Sequence, residues 1–164
     1  MPDAIVLHHS LTRDGATVSW PAIRKYHTSY KCEGYSVDPD QVPALIAQGA
    51  PVTPPWSDIG YHIGIELVDQ HYEILIGRML DAPGAHCPAG GMNRRALGIL
   101  FVGNFDLAPP PLDQLALGLR LVRSLQQLFA IPTERVFGHR EVARDGRTCP
   151  GKYFNLPQFR SDLA

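Results

Sequence analysis

Little in this chain is present in excess. There are three cysteines among 164 residues, Cys32, Cys87 and Cys149. An odd number at wide spacing is a poor disulfide framework, and a Cys32–Cys87 bridge is not expected. Charge of neither sign accumulates: 15 Lys and Arg stand against 16 Asp and Glu, a formal net charge of −1. A nucleic-acid-binding surface ordinarily shows a basic excess, so no nucleic-acid partner is expected. Long apolar runs are also missing, which excludes a bilayer-spanning helix and gives no reason to expect a membrane partner. The opening Met1-Pro2-Asp3 leads straight into Ile5-Val6-Leu7, without a positive n-region, an apolar h-region or a cleavage site. The expectation is cytoplasmic synthesis without a standard signal. No repeat and no linker divides the chain, which reads as a single domain over residues 1–164, expected to be monomeric. What is present is an ordinary globular balance, 45% hydrophobic and 19% charged, enough to build a core.

The apolar pattern supplies the elements. Ala4 to His9 reads as a short buried strand, ended by Ser10 and the Asp14-Gly15 turn signal. Ser19 is placed to N-cap a helix running to about Ser29, with Pro21 tolerated in its first turn. Residues 30–57 are punctuated by Asp38-Pro39, Gly49 and Pro51 to Pro55, with a short helix around Gln41 to Ala47. This stretch reads as a surface excursion. Ile63, Ile65 and Leu67 alternate with Gly64 and Glu66, and the alternation resumes from Tyr72 to Ile76, which predicts a hairpin. Ala96 to Val102 is a further strand. After Pro109-Pro110-Pro111, the residues Leu112, Leu115, Leu119, Val122 and Leu125 keep helical spacing, and Leu117, Leu121 and Leu128 widen the apolar face. Arg135 to Gly138 makes the last strand. Strands interleaved with helices predict an α/β fold, with a central mixed β-sheet flanked by helices.

Two histidines end strands. His8 closes the first, where a polar side chain is costly unless hydrogen-bonded or liganded. Side chains alternate along a strand, so His9 faces the other way. His139 follows Val136-Phe137-Gly138, and Cys149 stands ten positions later before Pro150-Gly151. Two imidazoles and one thiolate with an open fourth position form a set suited to a catalytic zinc, although neither HExxH nor CxxC spacing occurs. Taken singly, His8 reads equally as a hydrogen-bonded core histidine and Cys149 as an inert thiol. The same donor types also describe a blue-copper site, but no His or Met follows Cys149 to complete the usual short loop.

Five further pieces keep company with these residues. Ile5-Val6-Leu7-His8-His9-Ser10, Trp56-Ser57-Asp58-Ile59-Gly60-Tyr61-His62, Gly84-Ala85-His86 with Asn93, Leu97-Gly98-Ile99 through Val102-Gly103-Asn104-Phe105, and Gly138-His139-Arg140-Glu141-Val142 with Thr148-Cys149-Pro150-Gly151-Lys152 appear in that order. Together they resemble the zinc-dependent N-acetylmuramoyl-L-alanine amidase family, which includes phage lysis amidases and animal peptidoglycan recognition proteins.

The resemblance implies roles. His8, His139 and Cys149 match zinc ligands, one Zn2+ per chain. Tyr61 matches a tyrosine needed for catalysis in phage members, and His86 and Asn93 fall in a segment that lines the substrate groove. Arg147 stands where relatives often have lysine or threonine to stabilise the transition state; it can hold an oxyanion but does not readily give up a proton. Residues 30–55 look like an insertion relative to short phage members. The implied activity is hydrolysis of the amide between N-acetylmuramic acid and L-alanine in peptidoglycan or muropeptides, in the cytoplasm or at the wall as a phage or prophage lysis enzyme. The alternative keeps the fold and binds peptidoglycan without cutting it. No carboxylate base is assigned, since Leu100 and Val102 stand where some amidases carry one; Glu66 and Glu141 read as solvated or structural. His27, His62 and His71 read as surface or partly buried residues without a role, and Trp20 and Trp56 as core or groove wall.

Overall fold

In the computed structural model, which describes residues 1–12 and 19–163, the chain runs through β1 (Ala4–His9), α1 (Trp20–His27), β2 (Tyr30–Cys32), β3 (Tyr35–Val37), α2 (Val42–Ala47) and β4 (Val52–Thr53). It continues through β5 (Ile63–Val68), β6 (His71–Ile76), α3 (Met92–Arg95), β7 (Ala96–Phe101), α4 (Leu112–Phe129), β8 (Val136–Gly138), α5 (His139–Ala143) and α6 (Leu156–Leu163). The main sheet has the order β6-β5-β7-β1-β8. Strands β5, β7, β1 and β8 are parallel and β6 is antiparallel to β5, so the sheet is mixed as expected. The Asp14-Gly15 turn lies outside the described residues. No helix among the described residues is long and apolar enough to cross a membrane.

Alternation sorts β1 onto two faces. Ile5 and Leu7 join Leu97, Ile99 and Phe101 of β7 in the larger core, beneath α4 and α6. Phe101, Phe154 and Phe159 meet there edge to face or tilted, at centroid separations of 5.2 to 6.1 Å, each such pair adding about 0.5–1.5 kcal/mol beyond area burial. Ala4 and Val6 face the opposite side, against Cys87 and Met92. His8 shares that face and His9 the other, where its Nδ1 accepts the Phe105 N–H at 3.1 Å.

Several local expectations need correction. Ser19 occupies the N-cap of α1, but its side chain makes no cap bond. The carboxylate of Glu66 on β5 accepts the Trp20 N–H at 2.7 Å instead. Glu66 is buried and structural rather than solvated. Helix α4 lies where predicted, but its buried stripe runs through Gln114, Gly118, Leu121, Val122 and Leu125, while Leu112 and Leu128 are exposed. The Gln114 amide donates to the carbonyls of Ile65 and Val102 at 3.1 and 2.9 Å, tying α4 to the sheet. Residues 30–53 are more regular than expected: β2, β3 and β4 form a separate three-stranded antiparallel sheet.

Candidate metal centre

The donors meet at the carboxyl edge of the parallel strands. β1 ends in His8 and His9, and Gly138 closes β8 just before His139. His139 opens α5, and Glu141 fixes that turn by accepting the Gly138 N–H at 2.8 Å while pairing with Arg160 of α6. Glu141 is thereby structural.

Cys149 sits on a loop pinned from two directions. The Arg140 N–H donates to the Cys149 carbonyl at 2.7 Å, and the Arg140 guanidinium donates to the carbonyls of Thr148, Gly151 and Phe154. On the other side Asp106 accepts the Thr148 hydroxyl at 2.6 Å and the Lys152 N–H at 2.8 Å. Gly151 adopts a φ of +115°, and a Cβ there would lie 2.6 Å from the Phe105 backbone, so only glycine lets this loop close onto the turn carrying Asp106.

One donor atom from each of His8, His139 and Cys149 lies within 4.8 Å of the others. The His8 and His139 ring centroids are 4.5 Å apart, and Cys149 Sγ is 3.6 Å from His8 Nδ1. Burial holds His8 well below the ordinary imidazole range, with the His86 and His139 rings acting in the same direction. Burial and the Arg147 cation bring His139 down to about 4. Both rings are therefore neutral near pH 7 and able to donate lone pairs. Burial pushes the Cys149 thiol up to about 11, against the pull of the His9 N–H. A cation would reverse that shift and take the thiolate. Two neutral imidazoles and one thiol fit zinc, and among the described residues no fourth protein donor joins the group.

Around this group the predicted helpers take distinct places. The Tyr61 ring lies 5.1 Å from His8. Burial, together with the nearby Cys149, raises its hydroxyl above the ordinary phenol range, so it remains a proton-bearing donor. Arg147 Nη1 lies 3.0 Å from His139 Nε2, and its guanidinium is paired with Asp145. Asp145 is held down at about 2, first by its hydrogen bond from Arg147. His86 is buried with its Nδ1 3.0 Å from His8 Nε2. The Asn93 carboxamide oxygen accepts the N–H groups of His86 and Cys87 at 2.8 and 2.7 Å, bracing the turn that presents His86.

Sequence reasoning missed other parts of the site. His62 is buried rather than superficial; its Nε2 donates to Ala82 and its Nδ1 accepts the Gly98 N–H at 2.9 Å. Its place immediately before a buried strand was the available signal. His27 is half-buried, accepts the Gly60 N–H at 3.1 Å and stacks with Trp56 at 4.6 Å. With Tyr61, Ile23, Leu100, Ser10 and Thr12 it lines a cavity of about 360 Å³ whose lining includes none of the three donor residues. A second cavity of about 430 Å³, lined by Met1, Met79 and Phe129 among others, likewise reaches none of them. Trp20 belongs to the core and Trp56 is partly exposed, while His71 is exposed at the start of β6.

Comparison with known proteins decides the family. The family model described as N-acetylmuramoyl-L-alanine amidase matches residues 1–152. The chain belongs to that family. Among solved amidases, LysC of Clostridium intestinale URNW is similar with a TM-score of 0.67 at 26% identity, covering 99% of this chain and 85% of its own. Drosophila PGRP-LB shares the fold, with a TM-score of 0.63 at 24% identity over 98% of this chain and 80% of its own. Peptidoglycan-recognition protein SD of Drosophila simulans is 33% identical over 89 residues, 54% of this chain. This amidase-family chain covers 45% of that curated relative's length.

Proposed function

We propose that this chain hydrolyses the amide joining the lactyl group of N-acetylmuramic acid to L-alanine in bacterial peptidoglycan or its soluble fragments, with one zinc held by His8, His139 and Cys149. The observation that carries the reading is the convergence of those three donors, with no fourth protein donor grouped with them among the described residues, in a member of the amidase family. A bound zinc ion lowers the pKa of water into the neutral range and polarises a carbonyl.

The chain's own groups do the rest. Water adds across the amide, giving a carboxylate on the lactyl side and an amine on alanine. The Tyr61 hydroxyl donates to the oxygen on which charge develops, and the Arg147 guanidinium, aimed by Asp145, stabilises the same charge. Neither residue serves as the proton acceptor, because Tyr61 holds its proton and Arg147 is permanently charged. Glu66 and Glu141 are occupied by the Trp20 and Gly138 N–H groups, which supports leaving the base role off both.

The test pairs metal analysis of the purified protein with peptide release from purified peptidoglycan before and after chelation. Near-stoichiometric zinc and chelator-sensitive release of peptides with a free alanine amine are expected. Stoichiometric zinc without release, from wall or from soluble muropeptides, would favour a binding module, and a metal-free protein would remove the donor assignment.

A further inference from the structure

The resemblance puts His86 in a substrate groove, yet its ring is only 7% exposed and both ring nitrogens point at protein atoms. Nε2 lies 3.2 Å from the Ala96 carbonyl oxygen. A carbonyl can only accept, so His86 Nε2 must bear the hydrogen. The ring is buried and none of its hydrogen-bond partners is a carboxylate, which keeps it neutral with a single ring hydrogen. Its Nδ1 is then an acceptor, and the group facing it at 3.0 Å, His8 Nε2, must be the donor. This leaves His8 Nδ1 bare, and that atom faces Cys149 Sγ at 3.6 Å.

The ring has little freedom to turn away from this arrangement. A Cβ at either Gly84 or Gly98 would lie 2.4 Å from His86 Cδ2, so two glycines make the slot that the imidazole fills. Asn93 fixes the backbone of the same residue through the His86 N–H. The chain of contacts runs from the first residue of β7 through His86 to the penultimate residue of β1.

We propose that His86 is a positioning residue that sets the tautomer and orientation of His8, so that His8 presents Nδ1, and not Nε2, to the metal. The tautomer assignment stands on hydrogen bonding alone; its consequence for metal binding rests on the zinc reading given above. Outer partners of metal-bound histidines typically change affinity by about 10- to 100-fold when removed.

The experiment is a ¹⁵N spectrum of the histidine rings in the zinc-free protein, followed by zinc affinity from chelator competition for wild type, His86→Leu and His86→Asn. Both His8 and His86 are expected as Nε2–H tautomers in wild type. His86→Leu removes the acceptor and is expected to weaken zinc binding about 10- to 100-fold. His86→Asn keeps an acceptor near the Nδ1 position while losing the Ala96 bond, and is expected to recover most of that loss. A His8 ring bearing its hydrogen on Nδ1, unchanged affinity in His86→Leu, or equal losses in both variants would overturn the proposal. Should His86→Leu fail to fold, the wild-type spectrum and His86→Asn decide it. Should wild type hold no zinc, the zinc reading fails, and the spectrum still scores the tautomer.

Discussion

Removing one donor from a set of three leaves too few to hold zinc, and two nearby titratable groups among the described residues, His9 and Asp106, are already engaged. His9 is turned to the opposite face and bonded to the Phe105 N–H, and Asp106 is engaged by Thr148 and Lys152. His8→Ala, His139→Ala and Cys149→Ala are each expected to abolish zinc retention and peptide release, read by metal analysis and by a release assay. Full activity in any one of them would remove that residue from the ligand set. Tyr61 and Arg147 call for a different readout, since they act on developing charge. Tyr61→Phe keeps the ring against His8 and deletes only the hydroxyl, so a fall of about 10²- to 10³-fold in kcat with zinc content intact is expected. Arg147→Ala is expected to lower kcat more than it raises KM, and an unchanged kcat would make it a bystander.

At the scale of elements, Gln114 is the residue whose role follows least from its type. It is fully buried on α4, and its amide satisfies two carbonyls, one on β5 and one just past β7. Gln114→Ala would leave both without that donor, and a loss of about 1–3 kcal/mol is expected in denaturant unfolding. The same residue explains one failure of sequence reasoning. Helical spacing of apolar residues found Leu121, Val122 and Leu125 on the buried stripe of α4, but it also included the exposed Leu112 and Leu128 and missed Gln114 and Gly118. Gly118 is there because Phe101 lies where a Cβ would be, at 2.4 Å. The strands β1, β5, β6 and β7 were legible because each is long enough to show burial or alternation. The short β8 was also expected, over Arg135 to Gly138, but β2, β3 and β4, of two or three residues, show no period, and α3 and α5 barely complete a turn. The grouping of His8, His139 and Cys149 was legible through their motifs. What lies behind them, the His86 and His62 contacts, was not, because it depends on side chains that meet only after the sheet has formed.

For the molecule as a whole, buried neutral histidines tie stability to pH. Burial lowers His86 to about 3, and His27 and His139 to about 4, from an unfolded value of 6.5. Between about pH 6.5 and 4 the unfolded chain binds protons that the folded chain refuses, so stability is full above that window and declines as pH falls through it. Thermal unfolding of the zinc-free protein across this range should show a falling Tm with acidification, and a flat profile would contradict the burial of these rings.

β1 and β8 lie far apart along the chain, yet they are neighbours in the sheet, with Ile5 opposite Val136. During synthesis His8 therefore emerges long before the strand that flanks it exists. Such distant pairing is slow to form and waits on all the residues between the two strands. A nascent chain stopped before Val136 has neither the second imidazole nor the thiolate. The cluster of His8, His139 and Cys149 is therefore incomplete until the chain has been made through Cys149.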